Sequence, residues 1–284
     1  MRTRNKLKPL FFLLALTVLT MRFPARVFGD TGLDIVVEDN ADGLTIVKST
    51  GRAETLEIPE TIDGKRVTVI GDGAFTGKGL VEVTIPDSVR IIGNGAFSFN
   101  SLETVSIGDN VTGIGKGAFT GNKLTALTLG GSVSVIGKGA FSGNRIASVT
   151  LPASVTVIDD YAFFDNRIRE IAIPGSVTLI GEGAFSGNRL TAVEVGAGVR
   201  EIRDGAFYNN KISAVTIPPS LEVLGKRAFD SRSPDGRIRG NVNYTDENGN
   251  VLFTTANDFD TYYLYNGRQP GRYNLTDGNW SRVQ

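Results

Sequence analysis

Five cations recur at one place in a repeating chain. Lys123, Arg145, Arg167, Arg189 and Lys211 stand 22 residues apart, and each follows an asparagine. Stacked in register, they form a ladder of positive charge along one edge. Adjacent unit charges about 5 Å apart repel by roughly 0.8 kcal/mol in water before screening. Such a row favours an anionic polymer, a glycosaminoglycan or an acidic protein surface. The plainer reading is a solvated rim, with lysine and arginine stems lying over the coil edges. Duplication of one coil would copy the charge without any selection for binding.

A second cluster is aromatic. Five of the seven tyrosines (Tyr244, Tyr262, Tyr263, Tyr265 and Tyr273) and the only tryptophan, Trp280, lie after residue 240. Tyr263, Tyr265, Tyr273 and Trp280 suit sugar stacking or a protein interface, and equally the core of a small cap. A third candidate is a strand face of Thr, Ser and Ala with Glu82, Glu170 and Glu194. It lacks the aromatic anchors typical of binding hot spots.

Other chemistry is closed off. Cysteine and histidine are both absent, which excludes disulfides, a thiolate nucleophile, a histidine base and a His/Cys zinc site. Carboxylates remain, but Asp159, Asp160 and Glu182 fall on turns rather than in an evident cleft. Gly115–Gly117 lacks the full spacing of a phosphate loop. "DENGN" (246–250) lacks the glycine position of a calcium loop. Neither a cofactor nor a metal is expected, and the chain reads as non-enzymatic.

The elements that must position the candidates follow from the period. Ala-Phe recurs at Phe75, Phe97, Phe119, Phe141, Phe163, Phe185, Phe207 and Phe229, always 22 residues apart. A fixed period of this length predicts a solenoid. Counting from each Phe, asparagine sits at +3 from Asn100 to Asn210, and Leu or Ile at +5. Aliphatics at +8 and +10, such as Val105 and Ile107, share one face of a strand. Pro or Gly then ends the strand. Val or Leu returns at +14 and Ile or Leu at +17. One such coil has no core of its own and is buried only by stacking. Phe should stack on Phe, and the asparagines should satisfy backbone groups along the stack. The predicted class is a β-rich solenoid of 22-residue coils, with a parallel β-sheet on its concave face and a cap at each end.

The pattern Leu-x-x-Val-x-Ile between Asn and Ala-Phe, as in "SLETVSIGDNVTGIGKGAFTGN" (101–122), resembles the BspA-like group of leucine-rich repeats. The resemblance covers about residues 56–229. It implies a surface or secreted bacterial protein. Some members are adhesins for host matrix proteins such as fibronectin, or for other bacteria. The group shares a scaffold and no fixed site, so no functional residue carries over.

Residues 1–29 read as an export signal. Arg2, Arg4, Lys6 and Lys8 precede an apolar run from Leu10 to Met21 that is too short to span a bilayer. Cleavage is expected before Asp30, with a retained anchor as the other reading. Residues 1–29 hold six basic and no acidic residues, so without them 24 basic residues face 30 acidic ones, a balance of −6. Nucleic acid is therefore not an expected partner. Residues 30–55 read as an N-terminal hairpin cap, 56–231 as the solenoid and 232–284 as an aromatic-rich β cap or small module. The expected partner is an extracellular protein or an anionic glycan, with no transmembrane segment in the mature chain. The alternative is a structural component of the bacterial envelope that binds the organism's own proteins or peptidoglycan.

Overall fold

The computed structural model describes residues 24–25, 33–230, 241–245, 251–256, 267, 271–276 and 279–283. Most of the expected export signal, with Tyr262, Tyr263 and Tyr265, lies outside the described residues.

The repeat folds as a parallel β-solenoid of about eight turns. At +8 and +10 from Phe75 through Phe207 the aliphatics point inward, and between them Thr84, Ser106, Thr128, Thr150, Ala172 and Glu194 are exposed. These strands pair in parallel with an offset of 22 residues, for instance Val83 with Val105 and Val193 with Val215. The ladder falls into separate sheets.

A second parallel ladder, which the sequence reading treated only as an aliphatic return, is the longer one. It consists of two-residue strands at +16 and +17: Ile91–Ile92, Gly113–Ile114, Val135–Ile136, Val157–Ile158, Leu179–Ile180, Glu201–Ile202 and Val223–Leu224. Together with N-terminal strands they form one 12-stranded sheet. Two residues are too few to show alternation, which is why the pattern did not announce a strand.

The core is a column of identical side chains. All eight repeat phenylalanines are fully buried. Their rings stack with centroids 5.0–5.5 Å apart and planes within 11°. Beside them runs the asparagine column. The Asn144 amide nitrogen donates to the Phe119 carbonyl (3.0 Å) and to the Phe141 carbonyl (3.0 Å), and Oδ1 accepts the Leu124 N–H at 3.1 Å. Asn122, Asn166, Asn188 and Asn210 repeat this set. Each amide thus ties two coils together and satisfies backbone groups that the turn leaves over.

At the N-terminal end, Leu33–Asn40 and Gly43–Gly51 form an antiparallel pair, and Gly43–Gly51 runs parallel to Lys65–Ile70. Leu33, Ile35, Leu44 and Ile46 are buried there and extend the core. Thr61–Ile62 folds back on Lys65–Arg66 through Asp63 and Gly64, both with positive φ (51° and 77°), as a two-residue hairpin turn requires. At the other end Gly271–Thr276 pairs antiparallel with Ala214–Ile217 and with Asn279–Val283. Asn241–Thr245 pairs with Val251–Ala256.

Asn144→Ala should cost about 2–4 kcal/mol, because it strands one buried N–H and deprives two carbonyls of a donor. Phe141→Ala should cost about 3–5 kcal/mol, since a ring is lost between two stacked neighbours. Chemical denaturation would measure both, and a cost near zero for Asn144→Ala would remove the amide from its structural role.

Candidate functional site

Lys123, Arg145, Arg167, Arg189 and Lys211 are all exposed. Each lies between the buried asparagine at +3 and the buried aliphatic at +5. Their backbone N–H groups donate to the carbonyls of Leu102, Leu124, Ile146, Ile168 and Leu190 of the preceding coil, at 2.9 Å in every case. The main chain holds the row in register while the side chains stand in solvent. Among the described residues none of the five is in an ion pair. Arg169, also exposed, adds a sixth cation two residues beyond Arg167. Position +6 is not otherwise a basic column. Its neighbours there are Thr125, Ala147 and Thr191.

The strand face is laid out as expected, with Glu82, Glu170 and Glu194 exposed. The C-terminal aromatics are only partly placed. Tyr273 lies on the strand opposite Val215, and Trp280 pairs with Leu275.

Acidic and amide side chains build another column, which pattern reading missed. Three residues before Phe, Asp72 Oδ1 accepts the Asn94 N–H (2.7 Å), Asn94 Oδ1 the Lys116 N–H (2.8 Å), and Asp204 Oδ1 the Lys226 N–H (2.8 Å). Asp160 belongs to this column. Its Oδ1 accepts the Glu182 N–H at 2.9 Å, Lys138 Nζ lies 3.3 Å from Oδ2, and Arg203 lies 3.5 Å from Oδ1. Burial pulls the Asp160 carboxyl up. The Glu182 N–H, Lys138 and Arg203 outweigh it, and the group ends below its ordinary value. Next to it, the Tyr161 hydroxyl donates to Glu182 Oε1, which with burial pushes the phenol up to about 12. Asp159, Asp160 and Glu182 therefore sit in structural hydrogen bonds. No group of three or more metal-ligating side chains occurs among the described residues. No helix among them is long and apolar enough to cross a membrane.

The family described as "BspA type Leucine rich repeat region (6 copies)" matches residues 48–169 and 158–248. The chain belongs to that family, whose solenoids are typically non-enzymatic binding scaffolds. Similar solved structures include a leucine-rich cell surface protein from Faecalibacterium prausnitzii A2-165. It is 26% identical, with 74% of this chain and 73% of that chain covered and a TM-score of 0.45. The leucine-rich repeat protein of T. pallidum is 22% identical, with 70% and 85% covered and a TM-score of 0.47. No curated protein sequence matches the chain.

A depressed Asp160 pKa fixes the sign of a pH effect. Its ionised form contributes stability above the ordinary value of 3.8, and this is lost as pH falls through the lower folded-state value. Asp160→Asn should lower the thermal midpoint at neutral pH, and the gap to the parent should close in acid. Thermal melts from pH 7 to strong acid would check this; a gap independent of pH would rule out the charge as the cause.

Proposed function

We propose that this chain is an exported, non-enzymatic recognition scaffold whose basic edge contacts an anionic partner outside the cell. The partner class is a sulfated glycan or an acidic surface of a matrix protein. The observation that carries the reading is the row of five exposed cations, one per coil, each anchored by its backbone and none in an ion pair among the described residues. Like charges held at coil spacing raise their own electrostatic energy, and a polyanion laid along the row relieves it. Each coil adds a small term, so affinity grows with the number of coils engaged. Family membership supports a scaffold role. The apolar run at Leu10 to Met21 supports export.

Purified residues 30–284 should bind immobilised heparin or an acidic matrix protein, and binding should weaken as salt rises. Changing Arg145, Arg167 and Arg189 to Glu should reduce affinity by about tenfold or more while leaving the fold intact, because only exposed side chains change. Equal binding by parent and variant would move the site to the strand face or the C-terminal segment. No binding by either would favour an envelope component with partners among the organism's own proteins.

A further inference from the structure

Where a repeat is this regular, its exceptions carry information. Two residues before Phe, six coils use glycine: Gly73, Gly95, Gly117, Gly139, Gly183 and Gly205, with φ between 58° and 64°. The exceptions are Tyr161 and Arg227, which hold the same left-handed backbone at φ 57°. L side chains adopt that conformation at a cost, and such strain concentrates at functional positions. One residue after Phe, Thr76, Ser98, Thr120, Ser142 and Ser186 give way to Phe164 and Tyr208. Asp230 departs there as well, and the five exceptions fall in the fifth, seventh and eighth of the eight coils.

Tyr161, Tyr208 and Arg227 line a single open, shallow groove of about 370 Å³. Gly183 and Gly205 also line it. The Tyr161 ring lies over Gly183 so closely that an added Cβ would come within 2.5 Å of it. Phe164 meets the Tyr161 ring edge-on at 5.9 Å, and the Arg227 guanidinium lies 4.5 Å from the Tyr208 ring centre. Glu182, Asp204 and Lys226 complete the lining.

The chemistry selects an occupant. Two carboxylates and two cations line the groove, so neither an anion nor a cation gains a net attraction. What remains is a dense set of strong hydrogen-bonding groups beside aromatic surface. A neutral ligand with many hydroxyls and apolar C–H faces satisfies both. The 5.0–5.5 Å step between coils is also close to the length of one pyranose along a chain. We infer that the groove between Tyr161 and Tyr208 binds a neutral oligosaccharide, its ring C–H groups on the aromatic side chains and its hydroxyls on Glu182, Asp204 and Arg227. This site shares no residue with the basic edge and does not depend on that reading.

The test is saturation-transfer NMR on the full chain purified after export, against cellotetraose, chitotetraose, mannotetraose, xylotetraose and a galacto-oligosaccharide. At least one should receive transfer at its ring protons, and the signal should persist in high salt and in the Arg145, Arg167, Arg189 charge-reversal variant. Tyr161→Gly and Tyr208→Ser restore the residue the repeat itself prefers, so both should fold, as circular dichroism would verify. Each should weaken the saccharide by about tenfold or more. Transfer to no member of the panel, or transfer undiminished in both variants, overturns the inference. Transfer lost in high salt or in the charge-reversal variant overturns it too, and assigns the sugar to the basic edge.

Discussion

The side-chain amide of one asparagine per coil, bonded to two coils at once, is the constraint from which the regularity of this molecule follows. Its nitrogen bridges Phe carbonyls 22 residues apart, and its oxygen takes an N–H of the coil below. An inserted or deleted residue would move one partner out of reach and leave the others buried and unsatisfied. The phenylalanine stack imposes the same condition through packing, because a ring at the wrong height opens a void on one side and a clash on the other. Polar and apolar columns thus demand one spacing. Glycines at close coil contacts reinforce it. An added Cβ at Gly181 would come within 2.5 Å of the Asp159 carbonyl carbon.

What the constraint leaves free is the outer half of each turn. Apart from Glu82, Glu170 and Glu194, the strand-face residues named above are small or β-branched, and their backbones are committed to the ladders. The position after Asn has its backbone fixed by an inter-coil hydrogen bond but, from Lys123 to Lys211, an exposed side chain, and at the position after Phe exposure varies from the buried Ser98 to the exposed Phe164. Arginine after Asn, and Tyr or Phe beside the core Phe, can therefore vary without disturbing the stack. The basic row and the aromatic groove both occupy this turn, a few residues apart in each coil. Diversity accumulates there because substitution costs little. A side chain on a left-handed backbone is costly at Tyr161 and Arg227, which line the same groove, and also at Phe99, Asp165 and Asn209, which do not.

Legibility in the sequence followed the length of the signal. The Phe and Asn columns were readable because one residue type recurs at one spacing and no alternative explains it. The strand at +7 to +10 was readable from its alternation. The ladder at +16 and +17 was not, since two residues carry no period and Gly113 and Glu201 break its composition. The acceptor column three residues before Phe was hidden because Asp, Asn, Lys and Glu all occur there. Only geometry shows that Asp72, Asn94, Asp160 and Asp204 reach the next backbone N–H. The cations at +4 could be listed from sequence, whereas Arg169 required knowing that +6 is also exposed. Tyr161, Tyr208 and Arg227 were visible as letters. They become a site only when each is compared with its own column, because the signal is a departure from glycine or serine and not a motif.

Net charge and local charge point in opposite directions here. Without residues 1–29 the chain is formally negative, yet one edge presents a cation in each of five consecutive coils. Over distances beyond a Debye length, about 8 Å at physiological salt, the two are effectively independent. A partner long enough to lie along several coils experiences the row and not the average. A partner that contacts one coil gains only a single exposed charge, worth about 1 kcal/mol or less. On the reading proposed above, an extended polyanion would be favoured over a small anion by length. The rigidity of the solenoid would supply that preference, because the asparagine and phenylalanine columns hold the charges at a spacing that a flexible chain would relax away.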